Sequence, residues 1–354
     1  MRAGILTLYQ ADNYGAVLQA FALQKTLDGL GLHGDLLATD FFDRALRASE
    51  SPLSGPAAVL EKRMKQEEAK RKALFDSFRG AYLRCSKPWA KEDLPDANSV
   101  YTVFITGSDQ VWNLAVLGAD ESYFLPFADP QKRVSYAASF GPASLREEVV
   151  PWCRKQLRDF ALLSVRETAG KDLVKSLTGR DAAVCLDPVF LLDASEWETL
   201  ALKEERAPYY LLYMMQYDEE LEKRAALAAR KAGADLVVVT ASFLPRFGFD
   251  AWSGIGVREW LGLLLSAEGV FTNSFHGTAF SLLFEKPLLV SRLRGNLEKS
   301  SRRIDELLAL SGAEAAQEGE LFFPSKGEIF RELSPAREAS LAYLEEIVRY
   351  AKDL

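Results

Sequence analysis

Histidine and cysteine are scarce in this chain. Two histidines, His33 and His276, and three cysteines, Cys85, Cys153 and Cys185, occur among 354 residues. The cysteines form no CxxC pair and no Cys/His cluster, so the ligand set of a zinc site is missing, and neither a metal nor a cofactor is expected. An odd, dispersed cysteine count fits a reducing compartment. Positive charge is in deficit as well: 43 Lys and Arg stand against 50 Asp and Glu, a net charge of −7. Nucleic-acid binding wants a basic face, and docking on anionic lipid wants basic clusters, so both are disfavoured. Long apolar runs are also missing. The opening MRAGILTLYQADN is too briefly apolar for a secretion signal, and no stretch approaches the ~20 residues of a membrane span. A cytoplasmic protein with no transmembrane segment and no nucleic-acid partner is expected.

What remains is an ordinary globular composition, 48% hydrophobic and 26% charged, long enough for two domains. AGILTLY reads as a strand. AVLQAFALQKTLDGLG then carries apolar residues at helical spacing up to Gly31, and LHGDLLATDF reads as the next strand. Strand, helix and strand in series define a parallel sheet. Short β-rich runs follow at 101–107, 134–141, 161–167 and 182–192. A second alternating set begins with PYYLLYMMQ and runs through VFTNSF to PLLVSRL. The fold class is therefore α/β, with two Rossmann-like domains facing a cleft. The first spans 1–195 and the second 205–325. A terminal helix at 335–354 is placed to pack back on the first. Residues from about 55 to 90 form a charged helical insertion, read as a solvated helix or helical hairpin, or as a basic surface for an anionic substrate.

Five segments set polar residues just beyond an apolar strand, the edge where such sheets carry function. In QADNYG, Asp12 or Asn13 can cap the next helix, and Gly15 permits close approach of backbone to a ligand. A helix N-terminus offers free N–H groups to an anion. The pattern is not GxGxxG, so dinucleotide binding is unsupported. In ITGSDQVWN, Ser108 is a cap or a ligand and Asp109 a candidate acid or base. In YAASFG, Ser139 lies among small residues that leave room for a ligand or for tight packing. In LLSVRE, Arg166 closes an apolar strand and needs an anionic partner, either a protein carboxylate or a bound phosphate or carboxylate. In TNSFHGTAF, His276 begins a helix, with Asn273 or Ser274 as cap and Gly277 beside it, and can bind phosphate or move a proton. Each segment also has a plainer reading, as a helix cap, a packed core group or a structural ion pair. His33 reads as a simple helix-to-strand turn. SRLRGNLEKSSRRIDELL groups Arg292, Arg294, Lys299, Arg302 and Arg303, as a solvated face or as an electrostatic funnel for a charged substrate.

In this order, ADNYGAVLQAFALQ, GSDQVWN, YAASFG, LLSVRE, CLDPVFLL and TNSFHGTAFSLLFEKP resemble the polysaccharide pyruvyl transferase family, over residues 3 to about 312. Each motif alone is weak; the ordered set is specific. The resemblance implies a glycosyltransferase-B-like fold and a ketal pyruvyltransferase. Such an enzyme moves pyruvate from phosphoenolpyruvate onto a sugar of a surface or extracellular polysaccharide, or of its lipid-linked oligosaccharide precursor. It implies Arg166 and His276 as ligands of the donor's phosphate or carboxylate, with Arg303 as a further basic contact. His276 or Asp109 is the expected proton donor. Asn13, Gly15, Ser108, Ser139, Asn273, Ser274 and Gly277 complete the candidate substrate-binding set. One position departs from the family pattern: relatives often carry Asp before SFHG, and this chain has Asn273. If that acid moves a proton, the chain lacks it; if it only caps a helix, Asn serves as well. Two alternatives stand beside this reading, a glycosyltransferase using a nucleotide-sugar and a non-catalytic binding protein of a glycan pathway. No oligomeric state is specified.

Overall fold

The computed structural model of the chain describes residues 1–39, 56–114, 121–141, 145, 147–240, 250–252, 254–295, 298, 301–317 and 319–354. Among these, two five-stranded parallel sheets are formed. The first contains β1 (Arg2–Leu6), β2 (His33–Thr39), β3 (Cys85–Trp89), β4 (Val103–Thr106) and β5 (Arg133–Ser135), in the order β3-β2-β1-β4-β5. Single bridges, Val134 to Leu162 and Ala138 to Val165, carry it on toward the short pair β6 (Ser164–Val165) and β7 (Ala183–Val184). The second sheet repeats the pattern. It holds β8 (Tyr209–Met214), β9 (Asp235–Thr240), β10 (Asp250–Trp252), β11 (Gly269–Thr272) and β12 (Leu288–Val290), in the order β10-β9-β8-β11-β12. Both strand orders reverse once, between β1 and β4 and between β8 and β11, and ligands of doubly wound sheets bind at such reversals. The central strands read as unbroken apolar runs because helices cover both faces: β4 and β11 are buried throughout.

Helices on both faces join the strands. They are α1 (Tyr14–Gly29), α2 (Pro56–Tyr82), α3 (Val150–Arg158), α4 (Thr168–Thr178), α5 (Ala194–Leu200), α6 (Glu219–Ala232), α7 (Val257–Ser266), α8 (Phe275–Leu283), α9 (Arg302–Leu310) and α10 (Glu328–Asp353). One apolar cluster runs through both sheets, so the two units meet over a shared core. At its centre Tyr14 of α1 stacks on Trp260 of α7, ring centroids 5.0 Å apart and nearly coplanar. Trp197 of α5 meets Phe280 of α8 edge-on at 5.0 Å.

Three expectations are revised. The insertion is one helix ending at Tyr82, and Cys85–Trp89 is the edge strand β3. That helix is also not merely solvated. Arg71, Phe75 and Phe78, at i, i+4 and i+7, turn one buried face toward the domain junction. Phe75 packs on Tyr14 at 5.2 Å. Second, the apolar stretch 182–192 is strand only at Ala183–Val184. Asp187 and Pro188 convert the rest into a capped 3-10 turn, Pro188–Leu191, because Pro fixes φ for a helical start. Third, the helix expected from Pro335 begins at Glu328 and runs through that proline. It packs back on the first sheet: Tyr343 Oη donates to the Ser135 carbonyl (3.1 Å), and Ser340 Oγ accepts from the Leu186 amide (2.9 Å).

Candidate active site

The carboxyl ends of the two sheets face each other, and five loops converge there. From β1 comes the loop to α1. Asn13 caps α1, its Oδ1 accepting from the Ala16 amide at 3.1 Å. Two arginines of α2 brace this loop. Arg71 donates to the Asp12 carbonyl and Arg79 to the Asp12 carboxylate, each at 2.7 Å. Gly15, in the first turn of α1, lies against His276, in the first turn of α8. A Cβ at Gly15 would stand 1.9 Å from His276 Nδ1. The close approach expected at Gly15 is therefore made by a side chain of the opposite domain.

From β4 comes Gly107-Ser108-Asp109. Gly107 has φ +109°, and a Cβ there would meet the Tyr136 carbonyl oxygen at 2.2 Å, so only glycine fits. The turn buries Ser108 completely and leaves Asp109 at φ +67°. Ser108 Oγ lies 3.1 Å from the Ala137 carbonyl and 3.4 Å from Asp187 Oδ2.

Arg166 follows directly on β6 and is buried among three carboxylates. Nη1 donates to Asp187 Oδ2 at 2.6 Å. Nη2 lies 3.6 Å from Asp109 Oδ1 and Nε 3.9 Å from Glu167 Oε2. Among the described residues Nε and Nη2 have no hydrogen-bond partner, and the same holds for Glu167 Oε2 and His276 Nε2. Burial alone would lower the Arg166 pKa, but Asp187, Asp109 and Glu167 outweigh it and hold the guanidinium raised. Ser139 serves this cluster indirectly, donating to Glu167 Oε1 at 2.7 Å.

Asp187 is the site residue that motif reading missed. By residue type it showed only an Asp-Pro pair past a strand, which reads as a turn, and CLDPVFLL carried the family resemblance without giving its Asp a role. Oδ1 accepts from the Val189 amide at 3.2 Å; Oδ2 faces Arg166, Ser108 and His276 Nε2, the last at 3.5 Å. Burial pushes this carboxyl up, yet His276 and Arg166 overcome that and hold it at about 2.

The second domain adds Arg303 and Phe275. Arg303, in α9, is buried, and its guanidinium lies 5.6 Å from the Phe275 ring centroid; Arg166 lies 4.6 Å from the same ring. Burial first, then the neighbouring Arg166 charge, lower Arg303 to about 10. Arg166, Glu167, Asp187, Phe275, Arg303 and Glu306 line one small pocket here.

Three other candidates are engaged internally. Asn273 is almost fully buried, accepts from the Met215 amide (2.8 Å) and donates to the Gln216 carbonyl (2.6 Å), so it ties the end of β11 to the end of β8. Ser274 is the cap of α8, its Oγ accepting from the Gly277 amide at 3.3 Å. Gly277 is small because a Cβ would meet Thr272 Oγ1 at 2.4 Å and Tyr213 at 2.9 Å, both inside the domain. Of the basic stretch 291–308, Arg292 and Arg294 are exposed, at 3.0 Å from Asp305 and 3.7 Å from Asp218 respectively. Lys299 lies outside the described residues.

Two doubly wound domains with a site at their facing carboxyl edges define the glycosyltransferase-B class of fold. The fold is shared with a Listeria monocytogenes protein assigned as a UDP-N-acetylglucosamine 2-epimerase (10% identity, 96% of this chain and 90% of that one, TM-score 0.51). Also similar are the Streptomyces sp. SF2575 glycosyltransferase SsfS6 complexed with thymidine diphosphate (14%, 100% of both chains, TM-score 0.43) and the Neisseria meningitidis UDP-GlcNAc 2-epimerase bound to UDP-GlcNAc (10%, 99% of both chains, TM-score 0.46). A comparison with curated proteins finds no match. The family that matches is polysaccharide pyruvyl transferase, over residues 13–291. The chain belongs to that family and is a transferase.

Proposed function

We propose that the protein is a ketal pyruvyltransferase that uses phosphoenolpyruvate and a sugar acceptor carrying two suitably placed hydroxyls. The acceptor belongs to a surface or extracellular polysaccharide or to its lipid-linked precursor. The observation that carries this reading is the buried Arg166, whose Nε and Nη2 lack hydrogen-bond partners among the described residues, beside His276 where the two sheets meet. Phosphoenolpyruvate presents a phosphate and a carboxylate, and guanidinium forks suit both. Arg303 adds a second buried cation close by.

Transfer begins with a proton delivered to the donor's methylene carbon, which becomes a methyl group. One acceptor hydroxyl adds to C2 and gives up its proton. The C2–O bond to phosphate breaks, and inorganic phosphate leaves. The second hydroxyl then adds to the same carbon, and its proton ends on the phosphate. His276 supplies the imidazole of this site, the side-chain type suited to give and regain a proton. Asp109 sits instead as a counter-ion of Arg166 and accepts from the Gln110 amide at 2.9 Å. The guanidiniums stabilise the developing charge on the leaving phosphate.

A thermal-shift screen tests the donor first, since a ligand of the native state raises Tm. Phosphoenolpyruvate is expected to shift Tm and to release phosphate when acceptor glycan is present. A shift with nucleotide-sugars and none with phosphoenolpyruvate would overturn the reading.

A further inference from the structure

We propose that Asp187 is a positioning residue for the transfer, a carboxylate that fixes the donor-binding Arg166 and the proton-giving His276 with one and the same oxygen. The inference rests on the phosphoenolpyruvate reading above. The two oxygens of Asp187 divide their work. Oδ1 accepts from the Val189 amide at 3.2 Å and holds the 3-10 turn. Oδ2 receives Arg166 Nη1 at 2.6 Å and faces Ser108 Oγ at 3.4 Å and His276 Nε2 at 3.5 Å. A role confined to the turn needs only Oδ1. The second oxygen collects a cation of its own domain and the imidazole of the other.

The consequence for His276 follows from the chemistry of imidazole. A carboxylate facing Nε2 favours a proton on that nitrogen and fixes the ring. The Nδ1 edge packs on Gly15 at the start of α1, so the ring is held from both sides. In the cycle above, the imidazole gives a proton to the methylene carbon and recovers one from the hydroxyl that adds to C2. Asp187 stays ionised throughout. The charged groups facing it are Arg166 and His276, and both favour that state. Among the described residues, His276 forms no ion pair with any other carboxylate.

The test is Asp187→Asn in the full chain. The amide oxygen can still accept from Val189, so the turn is kept, while the charge is lost. Phosphoenolpyruvate affinity, read by tryptophan fluorescence, is expected to stay within about threefold or to tighten, because Arg166 loses a counter-charge. Phosphate release is expected to fall about 100-fold or more, the size of a general-acid contribution. Asp187→Asn combined with His276→Gln is expected to be no slower than His276→Gln alone, since the two residues act as one unit. Turnover at the wild-type rate in Asp187→Asn overturns the proposal, and so does a loss that lies wholly in affinity. Should that variant fail to fold, nitrogen-15 imidazole spectra of the unmodified protein decide, because only His33 and His276 contribute. A proton on His276 Nε2 supports the proposal; an unprotonated Nε2 overturns it. A wild-type protein that neither binds phosphoenolpyruvate nor releases phosphate defeats the donor reading itself. That outcome is distinct from an active wild type with an equally active Asp187→Asn.

Discussion

Gly15 and His276 belong to opposite sheets, yet the backbone of one lies against the ring of the other, so closely that a Cβ at Gly15 would stand 1.9 Å from Nδ1. The contact makes one hydrogen atom the spacer between two domains. Gly15→Ala therefore sets two effects against each other. Alanine is favoured over glycine in a helix by about 1 kcal/mol, whereas overpacking costs about 1–3 kcal/mol. Stability is expected to change little or to fall by up to about 2 kcal/mol in urea unfolding. Turnover is expected to drop about 100-fold, because the ring must move away from Asp187. Unchanged kcat in Gly15→Ala would show that the ring position is irrelevant.

Arg166→Ala removes the cation shared by the buried Asp187 and Glu167 and the partly buried Asp109. Breaking such a cluster costs about 3–5 kcal/mol. Equilibrium unfolding is expected to show a loss of that order, together with loss of phosphoenolpyruvate binding. Arg166→Lys keeps the charge but not the fork, and is expected to recover part of the stability and little of the affinity.

Arg303→Met is expected to behave differently. Burial and the Arg166 charge already press Arg303 down to about 10, so its cation is held at a cost. A buried cation beside a like charge is held at a cost to the fold at neutral pH. The methionine variant is expected to melt at the same temperature or higher than the wild type while binding phosphoenolpyruvate about 10-fold more weakly. A clear fall in Tm would refute this account of Arg303.

How much of this was readable beforehand depends on the kind of residue. Arg166 and His276 stood out because a charged or titratable side chain closes an apolar strand or opens a helix, and both are brought together. The two-sheet architecture was readable for the same reason, from apolar runs alternating with helical spacing. Asp187 escaped because Asp-Pro past a strand is an ordinary turn signal; only the folded chain brings its second oxygen to a group 89 positions away, at His276. The buried face of α2 escaped because Arg71, Phe75 and Phe78 are lost among the charges around them. Gly15 was flagged, but a pattern of residues cannot say whether the space beside a glycine belongs to a ligand or to a histidine.

Asn273→Asp tests the one departure from the family pattern. Asn273 donates to the Gln216 carbonyl at 2.6 Å, and an aspartate would place an oxygen against that oxygen. A stability loss of about 1–3 kcal/mol is expected, with no gain in phosphate release. Faster turnover in Asn273→Asp would mean that an acid at this position takes part in the chemistry.

Acid unfolding offers a further check on Asp187. A carboxyl held at about 2, against an ordinary 3.8, adds stability above about 4 that is lost as pH falls toward 2. The contribution is on the order of 2 kcal/mol. Urea unfolding between pH 4 and 2 is expected to be steeper in the wild type than in Asp187→Asn; parallel curves would contradict it.

The return of α10 bears on how the chain acquires its shape. Tyr343 and Ser340 bond to residues of the first sheet and its flanking turn, and Leu344, Ile347 and Val348 are buried in the shared core. A ribosome therefore releases every strand of that sheet well before the helix that seals it. Until residues 328–353 emerge, the first half of the protein is an unfinished layer with an apolar side still open to water, and its consolidation waits on that distant helix.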